Sequence, residues 1–260
     1  MSIYERLRDG LRADEPLALA TIVEGPGLGA KLLVGSGDGP ALGTLGDEAL
    51  DRVVTRDARG GIEAGLGALR RYGSHGEARA DDVLVFIEVF ASAPRMVIFG
   101  AVDFTAALAR VAKLLGYHVT VCDARAVFAT ERRFPMADVV VNDWPDRYLA
   151  TTGSGLGPRD AVCVLTHDAK FDVPALTAAV RTQVGYLGAM GSRRTHSERV
   201  ERLRQAGLSD SEIARIRSPI GLDLGGRTPE ETAVSICAEI IADRTGRTSG
   251  PLRVGTGPIH

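Results

Sequence analysis

Residues 95–122 read RMVIFGAVDFTAALARVAKLLGYHVTVC, and this stretch decides the fold. Residues 96–99 and 118–122 are short, continuous apolar runs of the kind found in buried strands. Between them, residues 103–115 have helical periodicity that stops at Gly116. Because a helix that separates two apolar strands is typical of a parallel crossover, we predict an α/β protein with a Rossmann-like parallel sheet.

The same alternation continues towards the C-terminus. Further strands are predicted over 138–141, 161–165 and 185–188, and helices over 145–150, 173–183, 192–206, 209–216 and 229–244. Continuous apolar strands indicate a sheet that is covered by helices on both faces.

A smaller α+β domain is predicted before this sheet, over residues 1–92. Its predicted elements are a helix over 2–14, strands over 17–23, 30–34 and 83–91, turns over most of 25–46, and helical periodicity over 47–55 and, more weakly, 61–72. The Ser-Ala-Pro sequence at 92–94 marks the boundary. The Rossmann-like domain is predicted over 93–244, followed by a flexible Gly/Pro-rich tail over 245–260.

Charge and composition exclude several classes of partner. The chain has 260 residues and a formal net charge of -2, without the basic excess that attracts nucleic acid or an anionic membrane. The N-terminus lacks the apolar core of a signal peptide, and no apolar run reaches the roughly 18–20 residues of a membrane span. Cys122, Cys163 and Cys237 lie in apolar stretches without C-x-x-C spacing, which favours buried thiols in a reducing compartment over disulfides or a zinc site. We therefore expect a cytoplasmic protein with no metal site.

A glycine turn over residues 100–103, the first glycine turn, follows the predicted strand at 96–99. A dinucleotide fingerprint G-x-G-x-x-G would start at Gly100, but Val102 replaces the glycine that lets the backbone approach a pyrophosphate. Asp103 places a carboxylate where the phosphate charge would lie, and this also disfavours NAD(P) binding. An Asp at a helix start caps exposed N–H groups, so we expect Asp103 to cap this helix. Asp123 follows at the spacing of a ribose-binding acid, or it pairs with Arg125 in a surface turn; both interpretations stay open.

Ionisable side chains follow the predicted strand at 161–165. Thr166, His167, Asp168 and Lys170 stand at a strand end, where the ligand crevice of a doubly wound sheet lies. His167 can act as acid, base or ligand near neutral pH, and Asp168 can cap the next helix. His167 and Asp168 are therefore candidate catalytic residues, with purely structural roles as the alternative.

A second glycine turn, over residues 188–194, enters another predicted helix. It contains Gly188, Gly191, Ser192, Arg193 and Arg194. Backbone N–H groups, the positive end of a helix dipole and two arginines favour an anion site here over a flexible, solvated turn.

Two further motifs follow the second glycine turn. We expect the glycines from Gly221 to Gly226 to shape the floor of the cleft. Thr228, Pro229 and Glu231 predict a helix start with a capping box.

Taken together, residues 185–242 resemble the C-terminal domain of the XdhC/CoxI family. The resemblance is carried by GYLGAMGSRR at 185–194, PIGLDLG at 219–225, TPEETAVSI at 228–236 and AEII at 238–241. THDAKFD at 166–172, DAR at 123–125 and RFP at 133–135 match the family pattern in order and spacing. Over 1–92 the resemblance is weaker and rests on ATIV at 20–23, Lys31 and Gly43-Thr44.

Members of that family are accessory proteins of molybdenum hydroxylases such as xanthine dehydrogenase and CO dehydrogenase. The resemblance implies that the chain binds molybdopterin cofactor, protects it while a cysteine desulfurase partner installs the terminal sulfur, and delivers it to the apo-enzyme. A homodimer is left open. The candidate cofactor-binding residues are Gly100, Asp123, Arg125, Thr166, His167, Gly188, Gly191, Ser192, Arg193, Arg194 and Gly221.

The chain departs from the family pattern at three points. The family's Gly-Gly-Gly-Cys-x-Glu stretch appears here as residues 46–48 without a cysteine, its G-x-G-H turn has become residues 100–103, and Arg217 stands where many members have His. These departures argue against direct molybdenum ligation and indicate a divergent maturation factor more than a turnover enzyme. Two alternatives stay open: an NAD(P)-dependent oxidoreductase that uses Asp123 and His167, and a non-catalytic interaction protein with a vestigial nucleotide pocket.

Overall fold

The chain divides into two compact units, Met1–Ala93 and Pro94–His260. The computed structural model describes residues 2–13, 15–77 and 81–254. An antiparallel sheet lies in the first unit and a parallel sheet in the second, which confirms the predicted fold class. No helix within the described residues is long and apolar enough to cross a membrane.

Within its described residues, the first unit has a five-stranded antiparallel sheet and two helices. Its elements are α1 (Ile3–Arg12), β1 (Leu17–Glu24), β2 (Lys31–Gly35), β3 (Leu42–Thr44), α2 (Glu48–Ala64), β4 (Ala68–Tyr72) and β5 (Val83–Phe90). The strand order is β3-β2-β1-β5-β4. Apolar side chains of α2 pack on one face of the sheet, and the shorter α1 covers part of the other.

One prediction for this unit was wrong. The periodicities over 47–55 and 61–72 belong to the single helix α2 and then to strand β4. Gly60 and Gly61 obscured the continuity of α2, but its face with Leu50 and Ile62 is buried, and burial outweighs the helix cost of glycine. The segment 25–46, predicted as mostly turns, also contains the edge strand β3.

The second unit is a six-stranded parallel sheet between two helical layers. Its elements are β6 (Arg95–Phe99), α3 (Asp103–Leu114), β7 (His118–Cys122), β8 (Val139–Val141), α4 (Pro145–Thr152), β9 (Ala161–Val164), α5 (Ala169–Ala179), β10 (Tyr186–Ala189), α6 (Arg193–Gln205), α7 (Asp210–Ile213), β11 (Ile216–Arg217) and α8 (Pro229–Thr245). The order β11-β10-β9-β6-β7-β8 is that of a Rossmann fold. One core contains α3 and α8, and the other contains α4 to α7.

Helix boundaries in this unit differ from the predictions in two places. Helix α5 begins at Ala169 instead of 173, because Asp168 caps it and the helix accommodates Pro174 in its second turn. The predicted helix over 209–216 ends at Ile213, and Ile216–Arg217 forms edge strand β11. Of the predicted tail, Leu252–Val254 forms a single 3₁₀ turn, and residues 255–260 lie outside the described residues. The tail's flexibility stays a prediction.

Candidate functional site

The carboxyl ends of the parallel strands bring four of the candidate residues to one edge of the sheet. Gly100 follows β6, Asp123 follows β7, Thr166 follows β9 and Gly191 follows β10. Strands β6 and β9 are neighbours, so the point where the strand order reverses lies between Gly100 and Thr166. A Cβ added to Gly100 would lie 2.6 Å from Thr166 Cγ2, so only glycine permits this approach.

The first glycine turn is held by groups of the protein itself. Gly100 has a φ of +109°, and the Ala101 N–H donates to Asp123 Oδ2 at 2.7 Å. Val102, not Asp103, is the N-cap of α3, and it makes no side-chain cap hydrogen bond. The predicted cap was therefore wrong: Asp103 is the first helical residue, and its carboxylate is exposed, 3.9 Å from Arg133 Nη2.

Asp123 has all of its acceptor positions in use. Its Oδ1 accepts from the Arg125 N–H and Nε, both at 2.9 Å, and its Oδ2 accepts from Arg125 Nη2 at 2.7 Å and from the Ala101 N–H. Burial would raise the pKa of Asp123, but the Arg125 guanidinium and the two backbone N–H groups outweigh it and hold the pKa below its usual range. The geometry thus favours the pairing with Arg125 over a ribose contact.

The strand-end cluster after β9 splits into an exposed and a buried part. His167 and Asp168 are exposed. Asp168 caps α5 by accepting from the Lys170 N–H at 3.1 Å, which confirms the capping role, and its carboxylate pairs with Lys170 Nζ at 3.1 Å. The backbone and side chain of Lys170 lower the pKa of Asp168. A catalytic role for His167 or Asp168 stays a prediction.

The buried part contains an ion pair that the sequence analysis missed. Arg199 on α6 is 2% exposed and Asp172 on α5 is 3% exposed, with Arg199 Nη2 at 2.9 Å from Asp172 Oδ2. The same guanidinium donates to the Met190 carbonyl at 2.7 Å and to Ser218 Oγ at 3.1 Å, and the Thr166 hydroxyl donates to Asp172. Burial raises the pKa of Asp172 against the opposing effect of Thr166 and Arg199.

This ion pair joins the ends of three strands. Thr166 follows β9, Met190 follows β10 and Ser218 follows β11. A signal was present in the sequence, because Arg199 is four residues before the apolar Leu203 and therefore lies on the inward face of α6. A buried charge is stable only when it is paired, so an inward-facing Arg199 predicts a buried acidic partner. The sequence alone does not identify Asp172 as that partner.

The second glycine turn leads into α6, whose first two residues are Arg193 and Arg194. Gly191 has a φ of +149°, and a Cβ there would lie 3.1 Å from Thr195 Cγ2. Ser192 is the N-cap, and its Oγ accepts from the Thr195 N–H at 3.1 Å. The first N–H groups of a helix have no intrahelical acceptor, so those of Arg193 and Arg194 are available to a ligand. Both arginine side chains are exposed.

A loop over residues 219–223 forms the opposite wall of a cleft at this turn, and α8 holds it in place. The Gly221 N–H donates to Glu239 Oε2 at 2.9 Å, and Ser235 Oγ donates to the Leu222 carbonyl at 2.5 Å. Gly221 has a φ of +95°, and a Cβ there would lie 2.6 Å from Ser235 Oγ. Gly221 therefore shapes the cleft through its tight approach to α8.

The cleft between these walls has a volume of about 600 Å³. Its lining residues are Ser192, Arg193, Arg194, Pro219, Ile220, Gly221, Leu222 and Asp223. Gly188 lies behind this wall, where an added Cβ would meet Ile220 Cδ1 at 2.5 Å, so its role is packing. Two arginines and a helix N-terminus make the cleft suitable for an anionic ligand, and they outnumber its one carboxylate, that of Asp223.

Comparison with known protein families gives two matches. Residues 96–240 match the XdhC Rossmann domain, and residues 10–73 match the XdhC and CoxI family. These two matches cover most of both compact units.

Three known proteins are similar in sequence. YqeB, an uncharacterized protein of Escherichia coli, is 28% identical over 90% of this chain and 45% of its own length. A probable xanthine dehydrogenase subunit of Bacillus subtilis is 33% identical over 62% of this chain and 46% of its own length. The molybdenum cofactor insertion chaperone PaoD of Escherichia coli is 35% identical over 38% of this chain and 31% of its own length. The chain thus spans less than half of the length of each of these relatives.

A crystal structure of a xanthine dehydrogenase from Bacillus halodurans has a similar fold. Its TM-score is 0.54 at 22% identity, and the match covers 97% of this chain and 98% of that one. At this identity the likeness concerns the fold alone.

Proposed function

The chain belongs to the XdhC and CoxI family, and on that premise we propose that it binds molybdenum cofactor and assists its insertion into a molybdenum hydroxylase. The named relatives support a role in maturation: one is called a probable xanthine dehydrogenase subunit and another a molybdenum cofactor insertion chaperone. The observation that carries the proposal is the cleft at the second glycine turn, where an anion would meet arginines and free helix N–H groups.

The donor set of the cleft fits the phosphate end of a molybdopterin cofactor. Arg193 supplies charge, and the N-terminus of α6 supplies N–H groups that point towards a bound anion. Arg194 adds a second cation, whose Nε pairs with Glu198 Oε1 at 3.1 Å. The cofactor supplies the molybdenum chemistry when bound. In this proposal the chain's own residues bind and orient the phosphate end and deliver the cofactor without turnover.

The first glycine turn suits a dinucleotide phosphate poorly. The Asp123 carboxylate already accepts the Ala101 N–H, and Asp103 adds a second negative charge at the N-terminus of α3. Because like charges repel at this short range, the geometry favours the second glycine turn over the NAD(P) hypothesis.

The chain's own cysteines are poorly suited to installing the terminal sulfur of the cofactor. Cys122, Cys163 and Cys237 are all buried, and burial raises the pKa of each thiol. A buried, protonated thiol is a poor nucleophile and a poor metal ligand. We therefore propose that a cysteine desulfurase sulfurates the cofactor while this chain holds it, and that the apo-hydroxylase then receives it.

The proposal is tested by anaerobic titration of the full chain with molybdopterin cofactor, with NADPH as a parallel ligand. We expect cofactor binding that weakens about tenfold in Arg193→Ala, since a charge-assisted hydrogen bond contributes roughly 1.5–3 kcal/mol. Arg204→Ala, an exposed arginine on the same helix, is the matched control and should bind as the wild type does. Binding of NADPH without binding of the cofactor would refute the proposal.

A further inference from the structure

A group of aromatic rings and fixed cations lies at the carboxyl edge of the sheet outside the cleft. The ring of Phe128 has the Arg125 Cζ at 4.6 Å and the Arg133 Cζ at 5.3 Å from its centroid. Phe171 lies 5.8 Å from the same Arg125 Cζ, and its ring centroid is 5.0 Å from that of Trp144. These five residues, Arg125, Phe128, Arg133, Trp144 and Phe171, form what we call the aromatic platform.

The guanidinium groups of the platform are held in place by the protein. Asp123 binds the Arg125 side chain through Nε at 2.9 Å and Nη2 at 2.7 Å, and the Ala101 carbonyl accepts from Arg133 Nη1 at 3.3 Å. A cation that is already fixed loses little conformational freedom when a ligand stacks on it. Asp123 therefore has a use beyond the turn, since it presents a flat guanidinium face.

Four of the five platform side chains are exposed to a ligand, whereas Phe171 is only 6% exposed. The side chains of Arg125 and Arg133 are 42% and 35% exposed, and Phe128 and Trp144 are 39% and 37% exposed. Guanidinium planes and aromatic rings both stack on flat heterocycles, whatever the substituents at the ring edge. Such a surface is suited to a planar ring.

The position of the platform complements that of the cleft. Arg125, Phe128, Arg133 and Trp144 follow β7 and β8, on one side of the point where the strand order reverses. Phe171 follows β9 and the cleft follows β10 and β11, on the other side. Three strand spacings separate the ends of β7 and β10, roughly 14 Å. An extended ligand with a ring at one end and a phosphate at the other can therefore reach both.

We propose that the aromatic platform binds the planar heterocyclic ring, a pterin or a nucleobase, of the phosphate-bearing ligand whose phosphate lies at the second glycine turn. The inference rests on the proposed function for the phosphate end of the ligand, and it assigns the ring end to the five residues of the aromatic platform.

The test uses Trp144, the only tryptophan of the chain, whose fluorescence reports directly on the platform. The full chain is titrated with 6-hydroxymethylpterin and, separately, with cytidine and guanosine, all of which lack phosphate. We expect saturable quenching by at least one ring, and the probe that quenches identifies the class of heterocycle. Phe128→Leu should weaken that binding about tenfold, since one stacked ring is worth roughly 1–3 kcal/mol.

Two further variants make the result specific. Tyr4→Leu removes a ring that lies 5.9 Å from Arg8 in the first unit, and it should leave the quenching unchanged. Arg133→Lys keeps the positive charge and changes no apolar residue, but it removes one flat guanidinium face. It should therefore weaken ring binding, and it provides a second test if Phe128→Leu proves unstable.

The outcomes separate this inference from the proposed function. If neither class of ring quenches Trp144, or if both platform variants bind the ring as the wild type does, the platform is not the ring site. Cofactor binding that still depends on Arg193 would then leave the proposed function standing. Ring binding that persists in Arg193→Ala, in a chain that binds no cofactor, would reject the proposed function and keep the platform as a ring site.

Discussion

The two glycine turns of the parallel sheet have the same place in the topology, but the helix after the first turn begins with Asp103 and the helix after the second begins with Arg193 and Arg194. Each follows a strand and opens a helix, and each contains a glycine with positive φ, Gly100 or Gly191. At the first turn the Asp123 carboxylate accepts a backbone N–H, and Asp103 adds another negative charge. At the second turn the buried cation Arg199 binds the Met190 carbonyl.

A Rossmann topology thus provides sites for anions, but the side chains around each turn decide whether an anion can bind there. A carboxylate of the protein occupies the place of a ligand at the first turn, whereas Ser192 satisfies only one helix N–H at the second and leaves an anion room to bind. In the proposed function the ligand site therefore lies at the second turn instead of the usual first one.

The largest effect is expected for the ion pair behind the second turn. Arg199→Leu leaves the buried Asp172 without a cation and should lower the free energy of unfolding by about 3 kcal/mol. Urea unfolding followed by Trp144 fluorescence measures it, because Trp144 lies in the second unit. Arg204→Leu removes an exposed arginine of the same helix, paired with Asp210 at 3.0 Å, and should cost less than about 1 kcal/mol. Equal losses in both variants would contradict a structural role of Arg199.

A smaller effect is expected for the close approach at the first turn. Gly100→Ala introduces a Cβ at 2.6 Å from Thr166 Cγ2, in addition to the strain of a positive φ. Gly116→Ala has a comparable φ of +82° and nothing within 4 Å of the added Cβ. The first variant should therefore lose about 2 kcal/mol more stability than the second, by the same urea unfolding. Similar stabilities would mean that the two strand ends are not packed as described.

The smallest effect is a difference in titration between the two buried carboxylates. The pKa of Asp123 is lowered and that of Asp172 is raised, so ¹³C NMR of the carboxyl carbons should find them on opposite sides of about 3.9, the ordinary value for Asp.

The two shifts have opposite consequences for stability. Asp123 stabilises the fold above about pH 3.9, and this contribution is lost as the pH falls through its lower folded pKa. Asp172 has a raised pKa in the folded protein, so the fold loses stability as the pH rises from about 3.9, the ordinary pKa of Asp, through the pKa of the folded protein. Asp172→Asn should abolish that part of the pH dependence of stability. Identical titration of both groups would remove the electrostatic contrast between the turns.

The sequence predicted the parallel sheet well, because continuous apolar strands and periodic helices are local signals. It also predicted that Asp168 caps a helix, which the Asp168–Lys170 contact confirms. The Asp103 cap was wrong because the last non-helical residue is Val102, and a one-residue shift in a helix start is decided by the turn geometry and not by propensity.

The rest of the site depends on contacts between residues that are distant in sequence. Asp123 is 22 residues from Ala101, and Asp172 is 27 residues from Arg199, so spacing alone does not pair them. The sequence offered Asp123 as a ribose ligand or as a partner of Arg125, and only the folded sheet favours the second interpretation. The single helix α2 was missed because Gly60 and Gly61 interrupt its local helical pattern, and the burial of its core face outweighs their cost.

The most direct test of the central claim is to locate the bound phosphate group by NMR. The ¹⁵N-labelled full chain is titrated with molybdenum-free molybdopterin under anaerobic conditions, and the backbone amide shifts of both turns are followed. We predict large, saturable shifts at Gly191, Ser192 and Arg193, with the Ala101 amide unmoved because Asp123 already holds it. Shifts at Ala101 and Asp103 with an unperturbed second turn would instead place the phosphate at the first turn.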